Sequence, residues 1–249
     1  MPRSFLRILS LALSLCLPLT GTARAQDLNM YSVIPHDYVM NDILNRQRIE
    51  AAISQPLDGP SKRTVPVPKA APPQASSSGP TTYARSPEIS RKVEAEFVAQ
   101  IRERAGHEPA AQIDSILKSN DAVASWASIM ADDGLRPGDI TDAFAGYWVL
   151  NWAMANGTDS TKVQTLAVRD QVRPIMAVYG GLSDARKQEL AETFMLNTLL
   201  QHAAYVDAMK RGDTATLRKL GDAAEARFRA DMGIGLRNLK LTTKGFVPA

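Results

Sequence analysis

Glu189 and Glu192 stand three residues apart in a predicted helix, so they share a face, with Asp184 one to two turns earlier. Two carboxyls of unequal environment can act as general acid and base, the chemistry of a cell-wall hydrolase. Such carboxyls flank a cleft about 5 to 10 Å wide, so the pair competes with the plainer reading of a charged, solvated face. His202 is the third catalytic candidate: helical spacing sets it one turn after Thr198 and one turn before Tyr205 and Val206, on a partly apolar side. A hydrogen-bonded structural histidine, a ligand contact and an acid–base group all fit that position.

Other catalytic signals are absent. His36, His107 and His202 are the only histidines, and no HExxH, paired-histidine spacing or GxSxG elbow occurs. Asp132-Asp133-Gly134 lacks the ligand spacing of a calcium loop and reads as a turn. No metal site and no cofactor are expected.

Binding candidates are clearer. Trp148 and Trp152 lie four residues apart, on adjacent turns of one face, with Tyr147 and Asn151 beside them. Exposed, that strip would stack on sugars or a peptide; buried, it is core, and the amide of Asn151 must then find a partner. Arg169 and Arg173, one turn apart, could hold an anion.

These residues need helices to position them. Ser86-Pro87 reads as N-cap and first helical position, and Ile89, Val93, Phe97 and Ile101 recur every four residues until Gly106. Pro109 restarts a helix carrying Ile113, Ile116 and Leu117, and a short apolar stretch follows around Trp126 and Met130. Further helices are predicted from about Gly138 to Asn156, Ser160 to Val178, Ser183 to Lys210 or Arg211, and Asp213 or Thr214 to Met232. No alternation of strand period persists anywhere, and the leucines of the tail after Gly233 are expected to cover the domain.

The N-terminal part is of another kind. Arg3 and Arg7 precede an apolar run from Ile8 to Leu19, and Thr22-Ala23-Arg24-Ala25 has the small-x-small form of a cleavage site, so residues 1–25 read as a signal peptide. Cleavage would remove three of 29 basic residues and none of 26 acidic ones, leaving a balanced charge that argues against nucleic acid. It would also remove Cys16, so a cysteine-free mature chain is expected. No retained transmembrane helix is expected, and the address is periplasmic or secreted. Residues 26–55 form an arm with one amphipathic helix from Asp37 to Gln55, and residues 56–86 form a proline-rich linker with a disordered composition. Residues 87–249 form the helical domain.

Four segments carry a resemblance: Asp139-Ile140-Thr141-Asp142-Ala143, Val168-Arg169-Asp170-Gln171, Gln188-Glu189-Leu190-Ala191-Glu192 and Leu241-Thr242-Thr243-Lys244-Gly245-Phe246. Over residues 87 to 248 the chain resembles an uncharacterised family of exported bacterial helical proteins. The resemblance implies an envelope address and no known activity.

The expectation is an all-α, compact multi-helix domain behind a disordered proline-rich arm, acting as an envelope interaction or structural protein. Its partner would be an envelope protein or a cell-wall component. The alternatives are an envelope hydrolase working through the carboxylates, or a small-ligand binding domain.

Overall fold

The computed structural model describes residues 80–249. The leader, the amphipathic helix of the arm and residues 56–79 of the linker lie outside the described residues. The expectation of a cysteine-free mature chain is corrected: the protein contains one cysteine, Cys16.

Among the described residues seven α-helices follow in order: α1 (Pro87–Ala105), α2 (His107–Ser119), α3 (Ala122–Met130), α4 (Ile140–Asn156), α5 (Lys162–Met176), α6 (Asp184–Arg211) and α7 (Thr214–Met232). Short polar side chains begin most of them by accepting from otherwise orphaned amides. Asp121 caps α3, Asp139 caps α4, Ser183 caps α6 and Asp213 caps α7, while Thr161 and Gln164 form a reciprocal capping box on α5. Ser86 stands at the N-cap before Pro87 as expected, although its side chain makes no capping hydrogen bond. Gly106 separates α1 from α2 at φ +94°, a backbone conformation that a side chain would strain.

Helix α4 is the axis of the domain. Every residue from Ile140 to Ala155 is buried, as expected of a helix apolar all round. It packs on α5, α6 and α7. At Gly221 of α7 a Cβ would stand 2.6 Å from the carbonyl oxygen of Met154, so only glycine lets these two helices approach so closely. Helix α1 packs instead on α2 and α6, where Val93, Phe97, Val98 and Ile101 build a second, smaller core with Ala110, Ala122 and Leu196.

The C-terminal tail corrects the all-α expectation: the described chain is mostly helical but closes with a β-hairpin. Strands β1 (Leu239–Thr242) and β2 (Gly245–Pro248) pair antiparallel with Leu241 opposite Phe246. Two four-residue strands are too short to show a period in sequence. Their support is distant: the Gln171 side chain accepts from the Phe246 amide and donates to the Phe246 carbonyl, both at 2.8 Å. Trp152 Nε1 donates to the Leu239 carbonyl at 2.9 Å. Phe246 is thereby set into the core against Trp148 and Trp152.

Residues 81–86, grouped with the linker by composition, run as a strap over the ends of α4 and α6. Lys187 Nζ donates to the Thr82 carbonyl at 2.7 Å, and the Tyr83 amide donates to the Gly138 carbonyl at 2.9 Å. Gln188 meets Ser86 twice, accepting from its amide and donating to its carbonyl, each at 2.8 Å.

Candidate functional site

The two glutamates do not face a common cleft. Glu192 is buried, accepting from Ser90 Oγ at 3.0 Å and Gln188 Nε2 at 2.8 Å, with Arg85 Nε at 3.5 Å. Burial raises its pKa, against the pull of those hydrogen bonds. Glu189 pairs with Lys92 at 2.7 Å and Arg186 at 2.8 Å. Burial pushes its carboxyl up, but these two cations outweigh burial and hold it low. Asp184 accepts from the Ala84 amide and pairs with Lys187. Each of the three acids ties α6 to α1 or to the strap.

The aromatic strip is core. Trp148 is 1% exposed and Trp152 7%, within a cluster that includes Phe144, Tyr147, Phe194, Phe228 and Phe246. Fully buried Asn151 finds two partners: its Nδ2 donates to the Tyr147 carbonyl and its Oδ1 accepts from Arg227 Nη1, both at 2.8 Å. Arg227 is itself buried, so the amide oxygen solvates a guanidinium inside the domain. On α5, Arg169 pairs with Asp170 at 2.9 Å, and Arg173 lies 3.8 Å from Asp139 and 3.9 Å from Asp170. Their charges are answered from within the chain.

His202 has a different setting. It is 5% exposed, its Nε2 has no hydrogen-bond partner among the described residues, and burial lowers its pKa to about 4. It lines a cavity of about 50 Å³ together with Asp133 and Asp159. The sequence singled out His202, read Asp133 as part of a turn, and gave no signal for Asp159, because a lone carboxyl in a loop carries no motif. The turn after α3 supplies Asp133 and the α4–α5 loop supplies Asp159.

Another opening flanks the small core. A cavity of about 110 Å³ lies among α1, α2, α3 and α6, walled by Phe97, Ile113, Ile116, Leu117, Leu196, Leu199 and Leu200, with Asn120 and Ser125 at its polar edge. It exists because α2 buries only Ala110 fully and leaves its isoleucines and leucine half-buried. No group of three or more metal-ligating side chains is found among the described residues. No described helix is long and apolar enough to cross a membrane.

The fold and its openings define a mostly helical domain with an apolar groove. The chain belongs to the family of unknown function designated DUF6683, which matches residues 6–248. That match extends the resemblance read from residues 87 to 248 into the N-terminal part. No curated protein and no solved structure matches the chain.

Proposed function

We propose that the protein is an exported binding protein of the bacterial envelope whose groove between α1, α2, α3 and α6 receives apolar side chains of an envelope partner protein. The observation that carries this reading is the groove, an apolar opening of about 110 Å³ in a domain whose other large apolar side chains are nearly all turned inward. Export rests on the charged and apolar leader of residues 1–25. The hydrolase alternative loses support from the placement of Glu189 and Glu192, which are engaged with cations, amide and hydroxyl groups.

A photo-crosslinking amino acid placed at Ile116 in living cells tests the groove, with Lys219 on the exposed side of α7 as the control position. The expected result is a discrete crosslink to one envelope protein at Ile116, none at Lys219, and loss of the product when Leu200→Glu is added without a change in melting temperature. Equal labelling at both positions, or a crosslink to residues 37–55 of the same chain, would overturn the partner reading. Peptidoglycan turnover by the purified protein that disappears in folded Glu192→Gln would restore the hydrolase.

A further inference from the structure

We propose that the cavity lined by Asp133, Asp159 and His202 is a binding site for the primary ammonium group of a small ligand. Two buried polar atoms there lack a hydrogen-bond partner among the described residues: Asp159 Oδ2, an acceptor, and His202 Nε2, which accepts when the ring carries its proton on Nδ1. Buried polar atoms are nearly always paired, so two orphans lining one cavity specify a missing donor. Asp159 Oδ1 is already occupied by the Ser160 amide at 2.8 Å, which leaves Oδ2 as its open position.

Charge sets the kind of donor. Asp133 and Asp159 bring two carboxyls, and His202 stays neutral near pH 7 because burial opposes its protonation. Burial, then Asp159 and Asp132, raise the Asp133 pKa to about 6, whereas the Thr165 hydroxyl and Lys162 lower it. A bound cation would relieve that repulsion. A primary ammonium offers one positive charge and three N–H donors on a tetrahedral nitrogen, matching acceptors drawn from three segments, whereas guanidinium is planar. The cavity of about 50 Å³ suits a group the size of methylammonium, with Val149, Leu150 and Ala153 beside the attached carbon. This assignment does not rest on the groove.

Methylammonium chloride titrated into isotope-labelled protein, with sodium chloride at equal ionic strength as control, tests it by nuclear magnetic resonance. Saturable shifts are expected at the His202 ring and the Asp159 amide, together with a lowered Asp133 pKa. Affinity should weaken by about tenfold or more in Asp159→Asn and in His202→Leu, the loss expected when one charge-assisted or buried acceptor is removed. Tetramethylammonium has the charge but no N–H and should not compete, a comparison that needs no variant. Shifts that never saturate, that tetramethylammonium reproduces or that survive Asp159→Asn would overturn the site. So would a cavity that holds water alone or that answers to calcium or zinc but not methylammonium.

Discussion

The two cores of this domain are built to different standards. Around α4 the rings of Phe144, Tyr147, Trp148, Trp152, Phe194, Phe228 and Phe246 meet with centroids 5.2 to 6.0 Å apart. That spacing lets neighbouring rings interlock, and each ring buries a large apolar area there. The α1–α2–α6 core is mainly aliphatic, and its edge of Ile113, Leu117, Leu199 and Leu200 is only half-buried. Stability is concentrated in the first region and an opening is left in the second. A binding surface on the small core can be altered without touching the elements that hold the domain together.

That contrast breaks most visibly at Trp148. Replacing it with alanine empties the centre of the large core and should cost roughly 3–5 kcal/mol, read as a collapse of the cooperative urea transition. A loss below about 1 kcal/mol would mean that the aromatic cluster is not the stabilising centre.

The cavity beside the large core should hide an opposed pair of titrations. Folded Asp133 holds its proton up to about 6 against an ordinary 3.8, so its contribution weakens the fold as pH rises through that interval. Folded His202 resists protonation down to about 4 against an ordinary 6.5, so its contribution is lost as pH falls through that interval. Together they cancel and leave stability nearly flat. Urea melts from pH 4 to 7 should show Asp133→Asn losing stability on acidification and His202→Gln losing it on the way up from 4 to 6, each by roughly 3 kcal/mol. Parallel profiles for the two variants would show that these groups do not titrate as their burial implies.

Gln188 joins the strap to the start of α1. Alanine there strands the amide of Ser86, removes one of the donors to its carbonyl, which keeps the Ser90 amide, and removes a donor to Glu192, at a cost of about 2 kcal/mol. Hydrogen exchange at Ser86 should speed up well before the α4 amides do. At the small end, Ile113→Ala trims a half-buried side chain from the groove wall and should cost about 1 kcal/mol in thermal stability. An effect as large as that of Trp148 would make the two cores one.

Local chemistry was legible in the residues themselves. Helix starts at Ser183 and Asp213 and stops at Gly106 and Gly212 follow from capping and backbone freedom, which depend on neighbours within a few positions. The four-residue beat of Val93, Phe97 and Ile101 likewise announced an inward face. Tertiary structure decided what depends on distant partners. The hairpin is held by Gln171, some 75 residues from Phe246, so no local pattern could reveal it. Whether Trp148 and Trp152 met solvent or Phe246 depended on where that hairpin landed. The cavity at His202 needed a turn after α3, a loop before α5 and the middle of α6 to converge, and periodicity within one helix carries no information about which loops its face will meet.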